Sequence, residues 1–158
     1  MIKPKFNKKD VEAMIAKRLA LVDQAIFSSL QRVGENFVNN ARSVNSYLDQ
    51  TGNLRSSIGY GIVKNGQVVT KNFERKNKAI KKAVQEGGDG VDVGLRFLLQ
   101  MALDHPRGYV LICVAGMKYA AAVEANGYDV ITNSSSLATD ELKESLAKLI
   151  TKNFLQNT

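Results

Sequence analysis

The chain has one cysteine, one histidine, two prolines and no tryptophan among its 158 residues. The lone Cys113 excludes an intramolecular disulfide and any zinc site built from several cysteines. The lone His105 leaves histidine-based triads and histidine-rich metal sites short of parts. No apolar run approaches the roughly 18 residues of a membrane span. The N-terminus is basic but has no apolar stretch behind it, so no secretion signal and no membrane partner are expected. Carboxylates are not paired usefully. Asp89 and Asp92 flank a glycine, Glu124 stands alone, and Asp140, Glu141 and Glu144 open a helix whose dipole accounts for them. No enzyme, metal or cofactor is expected.

What remains is an ordinary composition, 44% hydrophobic and 23% charged, with the length of a single domain spanning 1–158. The net charge of +7 is concentrated rather than spread. Lys71, Arg75, Lys76, Lys78, Lys81 and Lys82 face only Glu74, and an N-terminal arm, 1–9, carries Lys3, Lys5, Lys8 and Lys9. Apart from those segments, at +5 and +4, the chain is at −2. Such segments bind anionic surfaces, either nucleic-acid phosphates or an acidic protein. The basic stretch holds Phe73 alone among aromatics, so it offers no base-stacking platform.

From Asp10 to about Leu48 the apolar residues Val11, Ile15, Leu19, Val22, Ile26, Leu30, Val33, Phe37, Ala41, Val44 and Leu48 recur at steps of three and four. That spacing predicts one amphipathic helix on the order of 55 Å long, capped by Asn7. A domain of this size has a radius of gyration of about 15 Å. The helix must therefore kink near Gly34 or project, and Thr51-Gly52-Asn53 is expected to end it. Ile58, Tyr60 and Ile62 alternate on a strand, and Asn65-Gly66 predicts a two-residue hairpin turn leading to Gln67–Thr70. Gly59 and Gly61 leave the other face of that strand bare, so either something packs closely there or the strand bends.

A helical insertion is expected over 72–104, in two parts. The first is a basic helix, 72–86, using Phe73, Ile80 and Val84. The second runs from Val91 to Leu103 and packs through Leu95, Leu98, Leu99 and Ala102. The continuous apolar run Tyr109–Ala115 reads as a central strand covered on both faces. Tyr119–Ala125 makes two helical turns ended by Gly127, and Tyr128–Thr132 reads as a further strand. A last helix is expected from Thr139, its cap, to about Phe154, burying Leu142, Leu146, Leu149 and Ile150. The expected class is α+β. It comprises a small, mainly antiparallel sheet of about four strands with the long N-terminal helix and the C-terminal helix packed on it.

Two segments carry more than composition. Thr51-Gly52-Asn53-Leu54-Arg55-Ser56-Ser57-Ile58 follows the long helix and opens the hairpin. Val114-Ala115-Gly116-Met117-Lys118-Tyr119-Ala120-Ala121-Ala122-Val123-Glu124 follows the apolar strand and leads to Gly127. In this order they resemble the tailed-bacteriophage family of small neck and tail-completion proteins, related to the head–tail joining components of lambdoid phages. The chain departs from that pattern in having Ala125-Asn126-Gly127-Tyr128 where many members have Gly-Thr, and in carrying the 72–104 insertion.

The resemblance implies a non-enzymatic virion structural protein that assembles in the host cytoplasm. It would form a homo-oligomeric ring in the neck, between the portal complex and the tail tube. Adjoining connector and tail proteins would be its partners, with packaged DNA as a non-specific contact. Arg55 and Glu124, the polar residues singled out within the matched segments, are expected at the assembly interface, against the plainer reading of an intramolecular ion pair or solvent exposure. The competing function is sequence-independent nucleic-acid binding through 71–82 and the N-terminal arm.

Overall fold

A computed structural model describes residues 7–75 and 88–152. Its first element, α1 (Lys8–Ser43), is one helix of 36 residues, about 54 Å long. Asn7 caps it, the side chain accepting a hydrogen bond from the Lys9 N–H at 3.3 Å. Along this length the apolar stripe has two fates. From Ile26 onward it joins the core, where Leu30, Val33, Phe37, Val38 and Ala41 are buried. Residues 8–21 are all exposed, so the excess length projects. The helix stops short of Leu48. Val44 turns to extended backbone, and its carbonyl accepts a hydrogen bond from Arg55 Nη2 at 2.9 Å. Thr51-Gly52 does not close α1 but leads into α2 (Asn53–Ser57), a short helix entered through Gly52 at φ 72°.

The hairpin forms as the turn chemistry requires. β1 (Ile58–Lys64) and β2 (Gln67–Phe73) are joined by Asn65 and Gly66 at φ 51° and 80°, the paired positive values of a type I′ turn. Val69 is an extra residue in the ladder, since Ile62 pairs with Thr70 and Val63 with Val68, and this bulge bends the hairpin. β3 (Tyr109–Ala115) completes an antiparallel sheet of order β2-β1-β3. The sheet therefore has three strands, and its centre is β1 rather than the apolar run 109–115.

β1 takes the centre because both of its faces are covered. Ile58, Tyr60 and Ile62 pack toward α1, while Val63 joins Leu98 and Ala102 of α3 (Gly90–Ala102) on the opposite face. The two bare positions of β1 receive side chains directly, Gly59 under the Phe73 ring and Gly61 under Leu98. Phe73 thus closes β2 instead of starting a helix, and the remainder of the expected basic helix from residue 76 lies outside the described residues. Leu99, expected in the core with Leu98, is exposed.

The fourth strand does not form. After α4 (Ala120–Ala125) and Gly127 at φ 86°, residues 128–131 are irregular, and Thr132 already begins α5 (Thr132–Ile150). Thr139 is interior to α5, its hydroxyl donating back to the Ser135 carbonyl at 2.9 Å. The buried face is the small residues Ser134, Ala138 and Ser145, whereas Ile150 is exposed. Small residues let α5 lie close along α1, its principal neighbour, rather than on the sheet. Asn36 meets Glu141 and Arg32 meets both Glu141 and Ser145, so contacts descend α1 as they climb α5 and the pair is antiparallel.

Polar ties fix α1 on the sheet. Glu35 accepts from the Tyr60 hydroxyl and from Asn72 Nδ2, both at 2.8 Å, joining α1 to β1 and β2. Arg42 donates to the Ile58 carbonyl at 2.8 Å. Near the hairpin turn, Lys64 and the Tyr109 hydroxyl both reach the Asp23 carboxylate, at 2.8 and 3.1 Å. Gly34 is the closest point of approach, because a Cβ there would sit 2.5 Å from the Tyr60 ring. Gly34→Ala tests this spacing. Helix propensity favours alanine by about 1 kcal/mol, but overpacking a well-packed core costs about 1–3 kcal/mol. The Tyr60 ring is buried and held at its hydroxyl by Glu35, so it has little room to yield. A net loss on the order of 1 kcal/mol is expected as a lower urea midpoint, and an unchanged or raised midpoint would refute the close-packing account.

Candidate functional site

The two segments singled out in the sequence lie side by side. The Ser57 carbonyl accepts from the Gly116 N–H at 3.2 Å, and the Ser57 hydroxyl from the Met117 N–H at 3.3 Å. Each residue type in the first segment has a local reason. Gly52 supplies the left-handed turn, Leu54 is buried, and the hydroxyls of Ser56 and Ser57 donate to the carbonyls of Gly52 and Leu54 at 2.6 and 2.7 Å. In the second segment Gly116 lies against the backbone of Gly94, so α3 crosses the end of β3 with no side chain between them. The junction is therefore rigid and glycine-packed, and it holds the surface next to it in shape.

That surface is a groove between the loop after α1 and the loops around α4. Two hollows of about 250 and 470 Å³ adjoin there and share Tyr47, Leu48 and Val123 as walls. Tyr119 borders the first hollow and Tyr128 the second. Leu48 is 84% exposed, which is extreme for an aliphatic residue in a fixed loop. Tyr119 and Tyr128 are exposed here while Tyr47 is buried, and tyrosine is among the residue types enriched at protein contacts. The sequence carried a signal for this groove in Tyr47 and Tyr128, which follow the loop-forming pairs Asn45-Ser46 and Asn126-Gly127. Reading Leu48 as the last residue of the helix stripe concealed it.

Arg55 and Glu124 flank the groove and do not pair with one another. The Arg55 guanidinium donates to the carbonyls of Val44 and the Asn45 side chain and lies 5.3 Å from the centre of the Tyr47 ring. Its backbone N–H donates to the Asp49 carboxylate at 2.9 Å. Arg55 thus staples the loop that buries Tyr47 and exposes Leu48. One Glu124 carboxylate oxygen accepts from the N–H groups of Val130, Ile131 and Thr132 at 3.3, 2.8 and 3.0 Å. Ile131 and Thr132 are at the start of α5, where such donors are left unpaired, so Glu124 caps α5 from seven residues upstream. It explains why Tyr128–Thr132, strand-like in composition, does not extend a sheet. Burial raises the Glu124 pKa, but the backbone donors of Ile131, Thr132 and Val130 outweigh that effect and hold it below the usual carboxylate range.

The basic residues are less gathered. Lys71 is exposed on β2, and Arg75 forms an ion pair with Asp89, whose carboxylate also caps α3 at the Val91 N–H. Lys76, Lys78, Lys81 and Lys82 lie outside the described residues. Cys113 is half-buried on β3, and desolvation pushes its thiol up to about 12, so it is a protonated packing group at neutral pH. His105 follows α3, its backbone N–H donating to the Ala102 carbonyl. Among the described residues no cluster of three or more His, Cys, Asp or Glu side chains could hold a metal ion.

The Glu124 cap has a definite pH signature. A lowered folded pKa makes its contribution complete above the unfolded carboxylate value of 4.5 and lost as pH falls through the folded one. Glu124→Gln should lower the stability by about 1 kcal/mol at pH 7, with the gap to the parent closing in acid. Urea midpoints measured stepwise downward from pH 7 check this, and a gap that does not narrow as the pH falls would assign the loss to packing instead. Comparison with protein-family models, with curated proteins and with solved structures gave no match.

Proposed function

We propose that the protein is a virion structural protein of the neck and tail-completion type, which assembles as a ring at the head–tail junction of a tailed phage. The observation that carries this reading is the junction itself. The two segments that resemble the family are far apart in sequence, yet they hydrogen-bond to each other at Ser57 and frame one groove. In this reading their function is to build a contact surface, and Arg55 and Glu124 serve assembly by holding the two walls of that groove. The projecting part of α1 supports the same reading, since an apolar stripe on 8–21 has no use within the described fold.

The work in this role is structural. Subunits contact one another, then the adjoining connector and tail proteins, and the basic residues from Lys71 onward face packaged DNA or an acidic neighbouring ring. Electron microscopy of a lysate from a phage or prophage deleted for this gene tests it. Filled heads and separate, unjoined tails are the expected result. Intact infectious particles would overturn it. Nucleic-acid binding would then be the reading to pursue, through duplex affinity that falls steeply with added salt.

A further inference from the structure

Uncovered apolar surface lies at the start of α1 and again just beyond its end. At one end is the start of α1, where Val11, Met14, Ile15 and Leu19 are 42%, 72%, 54% and 64% exposed. This stripe lies on the core-facing side of the helix. Val11, Val22 and Val33 are eleven residues apart, which is close to three turns, so Val11 stands above the same face that Val33 buries against the sheet. At the other end is the groove between Leu48, Val123 and Tyr128. From Ile15 to Ser43 the helix rises about 42 Å, and the groove begins in the loop just beyond.

We propose that these two surfaces bind one another between copies of the chain: the Val11–Leu19 stripe of one subunit seats in the Leu48–Tyr128 groove of the next. This inference deepens the ring reading above and rests on it. A projecting amphipathic helix and a groove walled by Leu48, Val123 and Tyr128 are the two halves of a helix-in-groove contact. Their charges match as well. Residues 8–18 carry Lys8, Lys9, Lys17 and Arg18 against Asp10 and Glu12, a net +2. The groove segments 44–55 and 117–130 carry Asp49, Glu124 and Asp129 against Arg55 and Lys118, a net −1. Opposite net charge on the two surfaces steers one toward the other and disfavours stripe-to-stripe encounters.

The symmetry of the contact follows. Between successive copies of a ring the stripe and groove make a heterologous contact, and every added copy presents a free stripe and a free groove again. Such a contact closes into a ring when the rotation per subunit divides a full turn, and otherwise gives an open filament. Pairing of two α1 stripes would instead be isologous, stop at a dimer, and leave both grooves empty.

Mixing two defective variants of the full chain tests this. Leu19→Glu disables the stripe and Leu48→Glu the groove, and both residues are exposed, so the subunit fold is retained and is checked by urea unfolding. Light scattering after size exclusion should find the parent larger than a dimer and each variant monomeric. An equimolar mixture should form a 1:1 dimer and nothing larger, since it contains one intact stripe facing one intact groove. A parent that stays monomeric at its highest soluble concentration, a variant that keeps the parental mass, or a mixture that stays monomeric overturns the proposal. Self-dimerisation of Leu48→Glu overturns it too, in favour of stripe pairing. The gene-deletion phenotype is a separate readout. Unjoined heads and tails with a failed mixing experiment would remove this interface and leave the neck assignment, and the converse pair of results would do the reverse.

Discussion

Everything in this fold is spaced from β1. Among the described residues it is the only strand with neighbours on both edges and a helix on each face, and the two faces solve the spacing differently. Toward α1 it presents Ile58, Tyr60 and Ile62, and the helix accommodates the largest of them by having Gly34 where any side chain would strike the ring. Toward α3 it presents Gly59 and Gly61, so that Phe73 and Leu98 come down onto bare backbone. One face has large residues on the strand and a gap on the helix, and the other reverses the arrangement. A change in either spacing would shift α1, and with it α5, which is packed chiefly along α1.

The polar contacts then fix which parts of the molecule are held. Glu35, Arg42 and Asp23 each tie α1 to the sheet, and Asp23 is the first of these met along the helix. The Asp23–Lys64 pair is open to water, which screens its charges, so burial from Ile26 onward does most of the anchoring. At the far end, Arg55 and Glu124 hold loops rather than layers. Both act on backbone groups that regular structure leaves unpaired, the end of α1 for one and the start of α5 for the other. The groove between these loops is thus pre-formed, which reduces the entropy lost when something occupies it.

Local patterns were legible in the sequence wherever one segment decides its own structure. Asn65-Gly66 encodes its turn because both residues accept positive φ, Asn7 caps the helix that follows it, and the long stripe encodes α1. What could not be read depends on partners distant in the chain. Tyr128–Thr132 has strand composition, but a carboxylate at Glu124 supplies a helix start instead. The serines at 134–136 resemble a linker, yet small residues are what α5 needs to approach α1. β3 looks central because it is uniformly apolar, while the true centre is marked by two glycines whose meaning lies in the rings above them. At the candidate site, Arg55 and Glu124 could be singled out but their tasks could not, and the tyrosine groove emerges only once the two segments meet.

The projecting half of α1 has one more consequence, for cooperativity within a single helix. Fourteen consecutive exposed residues are near the lower limit at which a helix persists in water, where helix–coil equilibria are close to balanced. The amides of residues 8–21 can therefore open by fraying, whereas those around Leu30 to Ala41 exchange only when the core itself opens. One continuous rod thus contains two separate melting units with no break in hydrogen bonding between them. Any molecule that gripped the outer unit would extend the cooperative block outward from Asp23, turning a frayed end into a lever rigidly coupled to the sheet.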